Sequence, residues 1–264
     1  MTREHVIPSF LYEFQRTFEK SMIGWNESAE KMLQDEAKIK DVCFKCNNEN
    51  LGSLDDGGKK ILSDAGLLVQ NFDQPFIALN YDFDVLMRWL LKISFNSARA
   101  DGVHRYIFEP FIDYMLYGKG RVPRSQIALL AYFAAPEKLG PNRRNEDPYK
   151  KITGGKDLIN PFIVRISYGR SSSSDDFLIR LVSFGALVFY FLVAPDGCLP
   201  GHAAVVIRRF IKTHSGSVEL TPKSRFLRLT PGKETWLDLQ QHQFNRLQKK
   251  SHVNAMYIKN TVCR

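Results

Sequence analysis

The apolar run FLIRLVSFGALVFYFLVA, residues 177–194, constrains the fold of this 264-residue chain more than any other stretch. Arg180, Ser183 and Gly185 interrupt it, and its uninterrupted apolar part is shorter than the roughly 20 residues that a membrane-spanning helix needs. Phe, Val, Tyr and Leu dominate the run, which favours one or two buried β-strands over a helix. We therefore predict a sheet inside a core, with a membrane span as the less favoured alternative.

Other stretches after residue 157 also have the composition of strands. FIVRISYG, AAVVIRRFI and FLRLT are separated by Ser, Gly and Pro turns, and each is predicted to be a strand. The last stretch, WLDLQQHQFNRLQKKSHVNAMYIKN, predicts a helix with a basic end.

The first half of the chain is predicted to be mainly helical. Residues 11–40 consist mostly of helix formers, and the glycine pair at 57–58 is expected to separate short helical pieces. DFDVLMRWLLKISFNSAR places apolar residues at helical spacing, with Asp82 or Asp84 as the N-cap. A further helix is expected over 105–117, ending at a glycine.

The formal net charge of +9 is concentrated at one end of the chain. Residues 205–264 contain twelve Lys and Arg and three acidic residues, so the remainder of the chain is close to neutral. Such a concentration suits a phosphate backbone or an anionic membrane surface, although a basic solvated face without a partner is nearly as common.

Five cations of this basic region are candidate nucleic-acid contacts: Arg208, Arg209, Lys212, Arg225 and Arg228. They lie on predicted strands or their connections, with Phe210 and Phe226 between them. A basic face with exposed aromatic rings suits single strands or unstacked bases. The alternative is that both Phe side chains alternate into the core while the cations face water.

The cysteines indicate a reducing, cytoplasmic compartment. Four cysteines in a chain of this length do not make a disulfide framework. Cys43 and Cys46 form a C-x-x-C motif, which binds a metal between two thiolates or serves redox chemistry. No basic segment followed by an apolar one occurs at the start, so no secretory signal is expected.

Two short motifs carry the candidate chemistry: EHVIP at residues 4–8 and VCFKCNN at residues 42–48. Hydrolysis of a phosphodiester needs a base to take a proton from water and a cation to neutralise charge on the phosphate and the leaving oxygen. A neutral imidazole suits the first task, and a hard divalent ion bound by oxygen atoms suits the second.

In this order, the two motifs resemble those of the HNH endonuclease family, also called the ββα-metal or His-Me finger. In that family a strand presents an acidic residue and a His, and a hairpin returns to a helix that opens with C-x-x-C followed by His or Asn. The resemblance implies His5 as general base, with Glu4 and Asn47 holding Mg²⁺ or Mn²⁺. It also implies DNA as the default substrate, and stand-alone proteins of this kind often resemble restriction or anti-phage effectors. Lys45 is a candidate phosphate contact because of its charge.

The resemblance gives Cys43 and Cys46 a different role, in a structural zinc site. Many family members bind zinc with two C-x-x-C pairs, of which the first precedes the Glu-His strand, and this sequence has no residues there. Three explanations stay open: a start placed too late, ligands from a partner, or a branch without zinc. The family also often has an Asn about five residues before the second pair, where this sequence has Lys38.

Several other polar and aromatic residues are assigned to structure. Asp55 and Asp56 could approach the metal, but helix-surface carboxylates are the favoured interpretation. The stripe through Trp89 and Leu90 is assigned to core packing.

We therefore predict an α+β fold with an HNH-like ββα finger over 1–60 and a helical region over 61–134. A loop or linker follows over 135–157, and a basic β-rich region with a C-terminal helix covers 158–264. The leading hypothesis is a metal-dependent nuclease. The alternative is a catalytically degenerate finger that binds nucleic acid or a partner without cutting it. A membrane-acting effector built on the apolar run comes third.

Overall fold

The computed structural model describes residues 2–18, 24–26, 31–33, 38–142, 145–171 and 174–240. Helices and antiparallel sheets both occur, so the predicted α+β class is confirmed. The first part contains β1 (Thr2–His5), α1 (Ser9–Arg16), β2 (Gly24–Asn26), β3 (Lys31–Leu33), β4 (Lys38–Val42), a π-helical segment (Cys46–Leu51), α2 (Gly52–Asp64), β5 (Ile77–Asn80), α3 (Phe83–Asp101) and α4 (Ile112–Tyr117). The second part contains β6 (Ile127–Ala135), β7 (Glu137–Lys138), α5 (Asp147–Thr153), β8 (Leu158–Ile159), β9 (Val164–Ser171), β10 (Ser174–Phe184), β11 (Leu187–Val193), α6 (Pro200–Thr213), β12 (Val218–Glu219), β13 (Phe226–Leu229) and β14 (Pro231–Thr235).

A six-stranded sheet forms the centre of the molecule. Its order is β12-β6-β11-β10-β9, and β14 pairs in parallel with β6. β10 and β11 contain the apolar run and are joined at Gly185, whose φ of 58° lies in the left-handed region that favours glycine. The prediction of buried strands is confirmed. Among the helices of the described ranges, none combines the length and apolarity that crossing a membrane requires.

The two faces of this sheet are covered by different helices. β6 and β11 alternate, so that their odd-numbered residues join a hydrophobic cluster with α1, α2, α3 and α4. Their even-numbered residues join a second cluster with α6. The helices of the N-terminal half and the basic helix α6 therefore lie on opposite faces of the sheet.

α3 is the helix predicted from residues 82–99, and that prediction is confirmed. The Asp82 carboxylate accepts a hydrogen bond from the Val85 amide at 3.1 Å, and Gly102 ends the helix with a φ of 71°. Trp89 is fully buried and stacks on Phe184 of β10, with ring centroids 4.9 Å apart. This contact seats α3 on the sheet.

The glycine pair at 57–58 lies inside one continuous helix, so the predicted break is wrong. A Cβ atom at Gly58 would lie only 2.1 Å from the Trp89 ring, and one at Gly57 would lie 2.5 Å from Val85. The pair therefore permits the close approach of α2 and α3.

Two other secondary-structure predictions are wrong. AAVVIRRFI belongs to α6, because Ala203, Val206, Ile207 and Phe210 recur with the period of a helix and are buried together. The helix predicted over 11–40 is confirmed for α1 but is wrong at 24–26, 31–33 and 38–40, which belong to β2, β3 and β4. Residues 19–23, 27–30 and 34–37 of that prediction lie outside the described residues. Strand pairing with β1 outweighs the helix propensity of β4.

Each of the predicted regions after residue 60 contains both helices and strands. The region 61–134 includes β5 and most of β6, 135–157 includes β7 and α5, and 158–240 includes α6 beside the strands. The helix predicted over 105–117 consists of two 3-10 turns followed by α4, which ends at Gly118 as predicted. Residues 236–240 are helical, and the rest of the predicted C-terminal helix lies outside the described residues.

Candidate active site at the junction of β1 and α2

β1 carries Glu4 and His5 of the EHVIP motif beside the helical segment at the end of the C-x-x-C motif. It pairs antiparallel with β4, so that Glu4 faces Ile39 and His5 faces Lys38 in the register. Successive side chains of a strand point to opposite sides, and here Glu4 is buried whereas His5 is half-buried. Lys38 is therefore the cross-strand neighbour of the candidate base.

A buried cation joins β1 to the beginning of α2. Lys92 Nζ lies 2.6 Å from Glu4 Oε1 and 2.7 Å from Asp55 Oδ2, and it donates to the Leu51 carbonyl oxygen at 3.3 Å. The side chains of Lys92 and Glu4 are 2% and 6% exposed, and that of Asp55 is 23% exposed. One ammonium group thus pairs with two carboxylates from different elements.

Lys92 is one of three polar residues on the same face of α3. Trp89, Lys92 and Asn96 are three and four residues apart, which places them on one side of a helix. Trp89 Nε1 donates to Asp55 Oδ1 at 3.1 Å, and Asn96 Nδ2 donates to the carbonyl oxygen of His5 at 3.1 Å. α3 therefore fixes both β1 and α2 around His5.

Burial raises the pKa of Glu4 and of Asp55, while the positive charge of Lys92 acts in the opposite direction on both. The cause of the rise is the loss of hydration of an ionised carboxylate. His5 also interacts electrostatically with both carboxyl groups. Lys92 is therefore the positive charge that offsets part of the cost of burying Glu4 and Asp55 next to each other.

Asn47 connects the second motif to the first. It lies in the π-helical segment, and its Nδ2 donates to Thr2 Oγ1 and to the Arg3 carbonyl oxygen, each at 3.1 Å. Thr2 Oγ1 in turn donates to the Val42 carbonyl oxygen at 3.0 Å. Both bonds of Asn47 use its amide nitrogen, so neither occupies its amide oxygen. Asn47 thus lies against the strand that carries His5.

The C-x-x-C motif lies at the surface beside this junction. Cys43 is exposed and Cys46 half-buried, and the Cys46 amide donates to Cys43 Sγ at 3.0 Å. Hydrogen bonding from Cys46 lowers the pKa of the Cys43 thiol, and the same interaction raises the pKa of Cys46. The Tyr117 hydroxyl interacts with Cys46 from the end of α4. Their interaction therefore shifts the pKa values of the two thiols in opposite directions.

The predicted metal ligands fit their roles unequally. Asn47 fits a divalent ion, because its amide oxygen is the kind of atom that Mg²⁺ and Mn²⁺ prefer. Glu4 fits less well, since its carboxylate is already paired with Lys92. Cys43 and Cys46 supply two of the four ligands that tetrahedral zinc requires. Within the described residues, no three His, Cys, Asp or Glu side chains are grouped so as to hold a metal ion.

The candidate nucleic-acid contacts fall into three places. Lys45 is exposed within the C-x-x-C motif. Arg208, Arg209 and Lys212 are exposed on α6, on the opposite face of the sheet from His5. Arg225 and Arg228 are exposed at β13. The structure therefore does not bring the five basic residues of the C-terminal region together.

Sequence reasoning missed two residues of this junction and misplaced a third. Lys92 and Asn96 were not singled out, although polar residues four apart in an otherwise apolar stripe are a signal of buried polar contacts. The interpretation of Asp55 as a surface carboxylate is wrong, because it binds both Trp89 and Lys92. Trp89 is a core residue as predicted, and it also donates a hydrogen bond.

Comparison with models of protein families, with curated proteins and with solved structures found no match to this chain.

Proposed function

We propose that this protein is a metal-dependent nuclease of the HNH type, which hydrolyses phosphodiester bonds in DNA with His5 as general base. The observation that carries the proposal is the contact between the two motifs. Arg3 and Asn47 are 44 residues apart in sequence, yet the Asn47 side chain is hydrogen-bonded to the strand that carries Glu4 and His5. The strand that carries Glu4 and His5 thereby contacts the segment that carries Asn47.

His5 has the surroundings that a general base needs. Its side chain is only half-buried, so water and a phosphate can reach it. Its backbone is held on one side by pairing with β4 and on the other by Asn96. In the neutral state the imidazole takes a proton from the attacking water, and a fixed backbone keeps the ring oriented for that transfer.

Asn47 is the residue whose contacts leave an oxygen atom for a divalent ion. When bound, Mg²⁺ or Mn²⁺ would neutralise charge on the phosphate and on the leaving oxygen. Glu4 has a supporting task, because its pairing with Lys92 holds β1 in place. Lys45, exposed beside the same helical segment, contacts a phosphate of the substrate.

A second candidate function is binding of nucleic acid without cleavage. The observation that favours it is the ion pair of Lys92 with Glu4, the carboxylate that the family resemblance assigns to the metal. A fixed ammonium group at that carboxylate opposes the approach of a divalent cation. In this case, the finger would serve as a binding module.

Plasmid cleavage separates the two functions. Supercoiled DNA is incubated with the wild-type protein in Mg²⁺, in Mn²⁺ and in a chelator, and the conversion to nicked circles is followed. We expect metal-stimulated nicking, with a rate at least about 100-fold lower for His5→Ala because a general base contributes that much or more.

His202→Ala is the matched control, because His202 is an exposed histidine on α6, on the other face of the sheet. It should nick like the wild type. Equal nicking by His5→Ala would remove His5 from the mechanism. Salt-sensitive binding of DNA with no nicking under any metal condition would favour the second function.

A further inference from the structure

The two-stranded ribbon of β5 and β13 has one buried and one exposed side. The register places Phe226 opposite Asn80, Leu227 opposite Leu79 and Arg228 opposite Ala78. Because side chains alternate along a strand, Leu79 and its neighbours on the same side face the core. The opposite side, which we call the ribbon face, consists of Phe76, Ala78, Asn80, Phe226 and Arg228.

The ribbon face carries two large aromatic side chains in contact with water. Phe226 is 53% exposed and Phe76 is 37% exposed. Across the described residues only one other phenylalanine, Phe44, is this exposed. The rings belong to positions four residues apart along the ribbon, a separation of about 13 Å at the rise of a strand. Two exposed rings on one short ribbon form an apolar surface beside exposed cations.

Cations accompany these rings. Arg228 Cζ lies 4.0 Å from the centre of the Phe76 ring, which is a cation–π contact. Arg225 and Lys223 are exposed immediately before β13. The combination of a positive surface with flat aromatic rings matches the two parts of a nucleotide, the charged phosphate and the π-face of the base.

We propose that the ribbon face binds single-stranded nucleic acid by stacking unpaired bases on Phe226 and on the face of Phe76 that Arg228 does not cover, while Arg225 and Arg228 contact the phosphates. In a duplex the base faces are covered by their neighbours, so the rings can stack only on bases that are unstacked. Stacked bases of one strand are about 3.4 Å apart, so rings about 13 Å apart receive two different bases.

This inference deepens the proposed nuclease, because it names the form of the substrate. β5 packs beside α2, and α2 follows directly from the segment that carries Asn47. The ribbon face and the candidate active site are therefore attached to the same helix. The basic helix α6, in contrast, lies across the sheet.

Fluorescence anisotropy tests the inference without any cleavage. A labelled oligothymidylate and a labelled hairpin duplex with the same number of nucleotides are titrated with protein in a chelator. We expect the single strand to bind more tightly than the duplex. Phe226→Ala and Phe76→Ala should each raise the Kd for the single strand about tenfold, the order expected for loss of one stacked base.

Two comparisons separate stacking from general charge. Phe226→Trp keeps an aromatic ring and should retain tight binding, whereas Leu199→Ala removes an exposed apolar side chain next to α6 and should change nothing. The salt dependence of binding should stay the same in Phe226→Ala and become shallower in Arg228→Ala, since only the latter removes a phosphate contact.

The inference is overturned if Phe226→Ala binds the oligothymidylate like the wild type, or if the duplex is preferred. Failure of this inference can be distinguished from failure of the proposed nuclease function. Ring-dependent binding without nicking of plasmid would support the ribbon face and reject the nuclease, whereas nicking with ring-independent binding would do the reverse. Thermal unfolding followed by circular dichroism confirms that each variant is folded.

Discussion

A buried cation and a group of exposed cations lie on opposite faces of the central sheet and differ in their surroundings. On the first face, Lys92 is 2% exposed and lies between the carboxylates of Glu4 and Asp55. On the second face, Arg208, Arg209 and Lys212 are exposed on the outer side of α6. Each of these residues carries one positive charge. Lys92 pairs with buried carboxylates of the same chain, whereas the cations on α6 are exposed and accessible to a ligand.

The energetic consequences differ in the same way. Removal of one partner from a buried ion pair leaves the other charge without compensation, which costs about 3–5 kcal/mol. Removal of an exposed cation changes the free energy of unfolding by about 0.5 kcal/mol or less. The position of a cation in the fold therefore decides whether its substitution affects stability or binding.

Lys92→Met gives the largest expected effect. It leaves Glu4 and Asp55 buried together without a countercharge, so we expect the free energy of unfolding to fall by about 3–5 kcal/mol. Equilibrium unfolding in urea measures this change. Lys60→Met is the matched control, because Lys60 forms an exposed pair with Asp64 at 2.8 Å and should lose about 1 kcal/mol or less. Equal losses of unfolding free energy in the two variants would show that the buried ion pairs of Lys92 stabilise the fold no more than an exposed pair does.

The same variant has a predicted pH dependence. A carboxyl group whose pKa is raised by folding stabilises the folded state below its unfolded pKa of about 4, and that contribution is lost as the pH rises through the folded pKa. Loss of Lys92 raises the pKa of Glu4 and Asp55 further, because their ionised forms lose a countercharge. The stability difference between wild type and Lys92→Met should therefore narrow as the pH falls from about 7 towards about 3. Urea unfolding across this range tests it, and a constant difference would contradict it.

The sequence predicted the elements whose pattern is local. α3 was found because its apolar residues recur at helical spacing after a capping Asp82, and the β10–β11 hairpin because a short apolar run is rich in β-formers. α6 was not predicted although its period is equally local, because the β-branched residues and Phe in AAVVIRRFI also favour a strand.

The candidate site could be predicted only in part, for a different reason. Glu4, His5 and Asn47 belong to short sequence motifs, EHVIP and VCFKCNN, that identify them as candidates. Lys92 joins the site through contacts 37 residues away in sequence and farther, and its spacing in α3 does not reveal which carboxylates it will meet. Likewise, the opposite-face position of α6 follows from the sheet order, which local patterns do not determine.

Substitution of the exposed cations on α6 should have the converse outcome of Lys92→Met. The triple variant Arg208→Gln, Arg209→Gln, Lys212→Gln removes no buried contact, so its urea midpoint should stay close to that of the wild type. If α6 contacts the phosphates of DNA, duplex affinity falls and the slope of log K against log salt drops by up to about 0.9 for each cation lost. Anisotropy titrations at several salt concentrations measure both quantities. An unchanged slope would remove α6 from the DNA-binding surface.

The thiols of Cys43 and Cys198 give the smallest expected effect and extend the comparison of buried and exposed groups to cysteines. Cys43 is exposed and its pKa is lowered by hydrogen bonding from Cys46, whereas Cys198 is half-buried. Because the thiolate is the reactive form, Cys43 should react with iodoacetamide several-fold faster than Cys198 below the usual thiol pKa of about 8.5. Cys46→Ala should move upward the pH at which the Cys43 rate reaches half of its maximum. Mass spectrometry of the alkylated peptides measures each rate. Equal midpoints for Cys43 in the wild type and in Cys46→Ala would mean that the hydrogen bond between the two cysteines does not control the reactivity of Cys43.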